Sequence, residues 1–356
     1  MTIQAQSVGF GDVGKLLGVG TNAPIGAISA SADYLGNGAI EINKYESEIV
    51  DIVRRTSPSL DRLRGRGAWV PATGHPHRYF EQTAIASANA TDPRSISPTP
   101  SGPTRVERSV LIKAITAQSN FSHFDVEVTR QQGQFARIEA KDIADISAAI
   151  VRKEAAMLWN GTDTSLTSAT TLEWMGLVAQ IVAGGQIFYC NPGVSIIDTL
   201  KTSVATMVSS STYDNRPSAF YLNPLLADKI DQEGKAFAYR FNEVEFTAGV
   251  TVRGLSTQSG ILPLAPDPFI TTLNNTQLAA LGLNSIPSGA TTAYLCAIVQ
   301  EDMLELPYVN PNGGAEPRIF QLGLLAGLQG QFVGIAYNAV VAKGAPYAHA
   351  LVVVYR

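Results

Sequence analysis

Two strand-like runs with nothing of their own to lie against constrain this chain most. Trp69 to Ala88 is one run and Thr104 to Ala117 is the other. Between them, Asn89 to Pro103 holds Pro93, Pro98, Pro100 and Pro103, a tip that can be neither helix nor central strand. The pattern predicts a very long hairpin. A two-stranded hairpin is at best marginal alone in water, and no leftover element of the same chain is an obvious cover. A hairpin that lies on a neighbouring subunit satisfies the physics.

The stretch before it points the same way. Residues 1–40 are rich in Gly, Ala and Ser with little periodicity, and such a segment cannot bury enough of its own surface to fold alone. It is expected to be an arm held by another subunit. Gly9-Phe10-Gly11-Asp12-Val13-Gly14 fits the dinucleotide fingerprint as a string, with Asp33 near the distance of a ribose ligand. That fingerprint needs an apolar strand before it and a helix after it. Here Thr2 to Ser7 is mostly polar, and Gly18, Gly20 and Pro24 break a long helix. Ile42, Tyr45, Ile49 and Ile52 then mark a helix that must end before Pro58.

An arginine cluster follows: Arg54, Arg55, Arg62, Arg64 and Arg66. It can be a solvated or salt-bridged surface, or a contact to phosphates. The preferred use is between subunits, because arginine forks pair well with carboxylates. With Trp69, Arg78, Arg94 and Arg105 of the hairpin, these residues form the candidate inter-subunit set.

Phe124, Val126 and Val128 alternate with Asp125 and Glu127, which predicts one more half-buried strand. The longest helical signal is Ile138 to Gly161. Ile143, Ile146, Ile150 and Met157 recur at helical spacing, and Val151, Ala155 and Leu158 widen the stripe. Asn160-Gly161 is the expected stop, on the ground that glycine adopts the left-handed conformation of many helix ends. About 20 residues give a rod roughly 30 Å long. A polar loop, residues 162–171, and a mixed segment, 172–185, come next.

A second unit begins near Gln186. Ile187 to Cys190 is a short strand, and Asn191-Pro192 or Ser195 can cap a helix on which Ile197, Leu200, Val204 and Met207 share a face. Ser218 to Leu222 is a strand, after which Asn223-Pro224 starts a helix through Ile230. This alternation predicts a mixed α/β domain. Residues 244–295 hold short strands and Pro/Gly turns, Thr292 to Gln300 and Ile319 to Val341 return as strands, and Ala348 to Tyr355 is an apolar strand.

Composition excludes some classes. At 356 residues, 45% hydrophobic and 16% charged, the chain can build a sizeable core. A net charge of −4 argues against a nucleic-acid coat bound by bulk charge. Cys190 and Cys296 form neither a disulfide framework nor a zinc quartet, and are expected as buried small apolar residues. No basic-then-apolar signal opens the chain. The charge-free run Phe320 to Ala342 is long enough to span a bilayer, but its Gln321, Gln329, Gln331, Asn338 and four glycines favour buried strands and turns. His75 and His77 flank a proline without a third ligand nearby, which is weak for a metal. Asn160-Gly161-Thr162 fits a glycosylation string without the leader that would bring it to that machinery. No Ser/His/Asp or Cys/His set has a recognisable local context, so no enzyme, cofactor or metal is expected.

The order of parts resembles the major capsid protein of tailed bacteriophages, the Hong Kong 97-like fold. The residues that carry this are Ile138 to Gly161, Val194 to Ser209, and Ser218 to Ile230, which with Pro217 before it reads PSAFYLNPLLADKI. The resemblance implies an α+β fold with an N-terminal arm over 1–65 and an extended E-loop over 66–118. It implies a peripheral domain containing the spine helix over 119–185 and an axial domain over 186–295. Peripheral strands follow over 296–342, and a C-terminal strand over 343–356 returns to the axial domain. It further implies copies of the chain arranged as hexamers and pentamers in an icosahedral virion head, assembled in the host cytoplasm. Portal, scaffolding and decoration proteins are further implied partners, as is non-specific contact with packaged DNA; no membrane is.

Some members of that family crosslink a hairpin lysine to a neighbour's asparagine. No lysine lies between Lys44 and Lys113, so the shell is expected to be held non-covalently. Some carry a long helical scaffolding segment at the N-terminus. The first 40 residues lack such a pattern, so scaffolding is expected to be a separate protein. Two alternatives stay open: a nanocompartment of the same fold that encloses cargo enzyme, and a dinucleotide-dependent oxidoreductase built on Gly9 to Gly14.

Overall fold

The computed structural model describes residues 57–356, apart from 89, 95–100, 123, 125–126, 129–130, 132–137, 238, 311–313, 315 and 326–328. The Gly9–Gly14 string, Asp33, the helix at Ile42 to Ile52, Arg54 and Arg55 lie outside the described residues. The described chain opens with helix α1 (Pro58–Gly65) and continues through strands β1 (Trp69–Pro71), β2 (His77–Ala84), β3 (Thr104–Val110) and β4 (Lys113–Ser122). Helices α2 (Ile138–Asn160) and α3 (Leu177–Gly184) follow, then β5 (Ile187–Cys190), α4 (Ile196–Val208), β6 (Ala219–Leu222) and α5 (Pro224–Ala236). Next come β7 (Asn242–Thr247), β8 (Val250–Thr257), β9 (Gly260–Pro266), α6 (Asn275–Ala280), β10 (Ala293–Val299) and β11 (Leu304–Tyr308). The chain ends with β12 (Arg318–Leu325), β13 (Gln329–Asn338), β14 (Val341–Ala342), α7 (Ala345–Ala348) and β15 (Ala350–Tyr355).

Strands buried on both faces read as apolar runs without alternation. That accounts for β15 and β10 at the heart of a seven-stranded sheet of order β5-β15-β10-β6-β9-β8-β7. Ala350, Val352 and Val354 of β15 face the layer of α4 and α5, where Ile197, Leu200, Val204, Met207, Leu226 and Ile230 are buried. Leu351, Val353 and Tyr355 face the opposite core, shared with α2 and α3. Local chemistry sets the covering helices. Ser195 Oγ accepts the Asp198 amide at 3.1 Å and caps α4. Asn223 Oδ1 accepts the Leu225 amide at 2.9 Å and caps α5, with Pro224 in its first turn. Both caps match the sequence expectation, although α5 runs on to Ala236.

The second sheet has six strands, with β13 paired to β12 on one side and to β4 on the other. β4 matches β13 from Lys113↔Asn338 to Ser122↔Gln329. The strand expected at Phe124 to Val128 is absent: Phe124, Glu127 and Val128 are helical. Among the described residues the β4–β13 pairing ends at Ser122↔Gln329, before this segment. The long helix α2 lies across β4 and β13. Gly334 makes that approach possible, because a Cβ there would come within 2.5 Å of Ile146 Cγ2 and 2.8 Å of Ile150 Cδ1.

Along α2, Ile146, Ile150, Ala155, Met157 and Leu158 are buried as the stripe predicts, whereas Ile143 is 38% exposed. The helix ends at Asn160, but Gly161 is not left-handed. It is needed for close packing: a Cβ there would overlap the Trp174 carbonyl oxygen and the backbone of Gly176. The run Phe320 to Ala342 contributes to β12, β13 and β14, and no described helix is long and apolar enough to cross a membrane. Cys190 and Cys296 are buried and free.

Two boundaries differ from the expected divisions. β10 runs through residue 296 and belongs whole to the seven-stranded sheet. β4 leaves the hairpin for the six-stranded sheet, so the ribbon proper is β2 with β3 alone.

Candidate intersubunit site

The hairpin is a two-stranded sheet paired from His77↔Val110 to Ala84↔Thr104. No further strand is hydrogen-bonded to either edge among the described residues. Its base is not uncovered, which corrects the sequence expectation. Tyr79 and Val110 pack with Ala339 and Val341 of the same chain. Side chains alternate along β2, so Arg78, Phe80 and Gln82 face outward. Phe80 is 73% exposed, and Ile85 near the tip is 79% exposed. Arg78 pairs with Glu107 at 3.0 Å, Arg108 with Glu81 at 3.2 Å, and Arg105 Nε donates to Gln82 Oε1 at 3.4 Å. Such exposed pairs stiffen the ribbon little. The outer face thus offers an aromatic ring amid charges of both signs, and the tip adds Ile85 and the exposed Arg94. The described part of this tip, 90–94 and 101–103, has no helix or strand.

The arginines of α1 divide by environment. Arg62 is buried inside its own chain. Its Nε donates to Glu301 Oε1 at 2.5 Å, one terminal nitrogen donates to Glu301 Oε2 at 3.1 Å, and the other donates to the Phe246 carbonyl. Arg62 is therefore withdrawn from the inter-subunit set, because its fork is used within the chain, on Glu301 after β10 and on Phe246 of β7. Tyr221 Oη donates to Glu301 Oε1 at 2.5 Å, Ser218 Oγ donates to Oε2 at 2.9 Å, and Arg66 Nε lies 3.1 Å from Oε2. Burial acts to raise the Glu301 carboxyl, but the hydrogen bonds from Arg62 and Tyr221, with the charges of Arg62 and Arg66, hold it below its usual range.

Arg64 reaches Glu154 Oε2 at 3.3 Å and stacks over Trp69, whose ring meets Tyr308 edge-on. Arg64, Arg66 and Trp69 remain partly exposed, so each can reach a neighbour only from an internal anchor. Glu154 is 1% exposed and also accepts from Asn338 Nδ2 at 2.5 Å. Burial pushes its carboxyl up to about 7 against the pull of Arg64 and Asn338. A third buried carboxylate, Asp267, accepts from Ser57 Oγ at 2.6 Å, from Ser59 Oγ and from Trp159 Nε1 at 3.3 Å. Asp267 and Glu301 tie α1 and α2 to the seven-stranded sheet, and Glu154 ties them to β13 of the six-stranded one. Sequence reasoning singled out none of Glu154, Asp267 and Glu301. Glu154 had a signal, since it falls four residues after Ile150 and four before Leu158 on the apolar stripe.

The other candidates do not form sites. His75 is exposed and His77 is buried, so they do not converge on one ion. No group of three or more metal-ligating side chains is found among the described residues.

No protein-family model matches the sequence, and no curated protein matches it. Solved structures do match. The capsid asymmetric unit of cyanophage A-1(L) aligns at a TM-score of 0.60 and 12% identity, over 90% of this chain and 98% of that one. The head structure of Helicobacter pylori bacteriophage KHP40 aligns at 0.59 and 9% identity, over 89% and 94%. The holo-SrpI encapsulin complex from Synechococcus elongatus PCC 7942 aligns at 0.57 and 14% identity, over 88% and 91%. The chain has the Hong Kong 97-like capsid fold.

Proposed function

We propose that this chain is the major capsid protein of a tailed phage, and that hexamers and pentamers of it close into an icosahedral head around double-stranded DNA. The observation that carries this is the ribbon β2–β3: anchored at its base, exposed along its outer face, and bearing Phe80 and Ile85 in water. Copies of the chain are the partners that complete it. Arg64, Arg66, Trp69, Arg78, Arg94 and Arg105 are the described residues proposed to meet them, with Arg54 and Arg55 as further candidates. The extended loop is then the ribbon and its flanks. The six-stranded sheet with α2 is the peripheral domain, and the seven-stranded sheet with α4 and α5 is the axial domain. The ribbon has no lysine between Lys44 and Lys113, which supports a shell held without isopeptide crosslinks.

Deletion of Asn89 to Pro103 tests the proposal. The expected result is a soluble, folded subunit that no longer closes into particles by electron microscopy. Particles of normal yield and stability from the deletion would overturn it. The likeness to an encapsulin supports a second function, a nanocompartment around cargo protein. Nuclease-protected DNA inside purified particles decides for the head, and co-purifying protein cargo without nucleic acid decides for the compartment.

A further inference from the structure

The ribbon meets the body through one polar cluster at its base. His77, the first residue of β2, is buried. Its Nδ1 accepts from the Thr73 amide at 3.4 Å, with Thr73 Oγ1 at 3.5 Å. Its Nε2 is buried without a hydrogen-bond partner. Glu305 Oε2, on β11, lies 3.8 Å away. The other oxygen of Glu305 takes the ammonium of Lys343, which sits 5.5 Å over the ring of Tyr79. Two residues further along β2, Glu81 Oε1 accepts the Gly344 amide at 2.8 Å. The inward side chains of β2 thus clasp Glu305 and the turn at 343–344.

An imidazole that accepts at Nδ1 carries its single proton on Nε2 and is neutral. A buried N–H without an acceptor is uncommon. A second proton changes both nitrogens. Nδ1 gives up the Thr73 amide and donates to Thr73 Oγ1, and Nε2–H, now charged, faces a carboxylate. We propose that His77 is a proton-operated clamp on the hairpin. Protonated, it closes on Glu305 and fixes the base of β2–β3 to the six-stranded sheet. Neutral, it leaves the ribbon held by Tyr79, Val110 and the Glu81–Gly344 bond. The groups that face His77 are Thr73 from the preceding loop, Tyr79 from its own strand, and Glu305 from β11 with its partner Lys343. Lys343 opposes the clamp by competing for Glu305. The clamp belongs to the subunit itself and needs no second copy, so it goes beyond the shell proposal and stands or falls separately.

Hydrogen exchange of the full chain at pH 5.5, 6.5 and 7.5 tests it, with rates corrected for intrinsic exchange. Amides of 77–84 and 104–110 are read against those of 350–355. Protection of the ribbon should be about tenfold higher at pH 5.5 than at pH 7.5, the scale of one charge-assisted hydrogen bond at a part-buried site. The reference strand should not follow. His77→Gln and Glu305→Gln should each abolish the difference, while Lys343→Met, which frees Glu305, should keep it. Glu154→Gln should leave it in place. Equal ribbon protection at all three pH values overturns the clamp, as does a pH response that survives His77→Gln. Where His77→Gln does not fold, the Glu305→Gln and Lys343→Met responses decide.

Discussion

Replacing Glu154 with glutamine should stabilise the chain at pH 8 and leave it nearly unchanged at pH 5. Glu154 is buried between α2, α1 and β13, and its carboxyl is pushed from 4.5 up to about 7. The folded protein therefore holds this proton more tightly than the unfolded chain does. The associated stability is present below pH 4.5 and is lost as pH rises through 7. A shift of that size corresponds to roughly 3 kcal/mol. Glutamine cannot ionise, and its amide oxygen can still accept from Asn338 Nδ2, which lies 2.5 Å from the native carboxylate. The pull of Arg64, whose side chain is 32% exposed, is already contained in that net shift. The gain at pH 8 is therefore about 3 kcal/mol, or roughly 4 °C in melting temperature for a chain of this size. Urea midpoints and thermal melts of both proteins at pH 5 and pH 8 give the measurement. Parallel pH slopes in the two proteins would refute the claim that Glu154 is buried and titrates near neutrality.

Arg62→Met should be among the most damaging single changes, because it removes the buried partner of Glu301 and leaves only the part-exposed Arg66 to balance its charge; breaking a buried pair costs about 3–5 kcal/mol. Adding Glu301→Gln should recover a good part of the urea midpoint, and no recovery would show that the pair is not coupled. Glu301 is held below its usual range, so its contribution is present at neutral pH and is lost as pH falls through the folded value. Lys113→Met should loosen the loop at 162–171, since Nζ donates to Asp163 Oδ2 at 3.1 Å and to the carbonyls of Ser168 and Thr171 at 2.8 and 2.9 Å. Faster limited proteolysis within that loop is the expected readout, and an unchanged cleavage rate would contradict it.

What the sequence made visible was local. The caps at Ser195 and Asn223, the buried face of α4 and the apolar run of β15 depend on residues within a few positions of one another. What it hid depends on distant partners. Arg62 and Glu301 are separated by 239 positions, and arginine as a type is mostly exposed, so Arg62 looked like surface. Helix α3, LVAQIVAG, is half buried and carries Gln180 as its one polar side chain, so it shows little polar face to give its period away. The alternation at Phe124 to Val128 is a true period of two, yet Phe124, Glu127 and Val128 are helical. Gly161 was placed correctly at a helix end for the wrong reason: the backbones of Gly161 and Gly176 nearly touch.

The two sheets and the ribbon differ in what completes them. β15 has each residue buried by its own chain, so nothing a neighbour supplies can change its environment much. The ribbon has Tyr79 and Val110 buried at one end and Phe80 and Ile85 in water further along. Burying a large apolar side chain contributes about 1.5–3 kcal/mol, so seating both residues on another surface contributes several kcal/mol per copy, on the scale of a whole domain's stability. That contribution is unavailable to the isolated subunit, because the chain has committed its own apolar surface next to the ribbon, Ala339 and Val341, to Tyr79 and Val110. On the proposed function, covering the ribbon's outer face therefore depends on assembly, while the fold that carries it does not. For that reason removal of the tip and removal of a core ion pair should fail in different ways: the first in closure with the subunit intact, the second in the subunit itself.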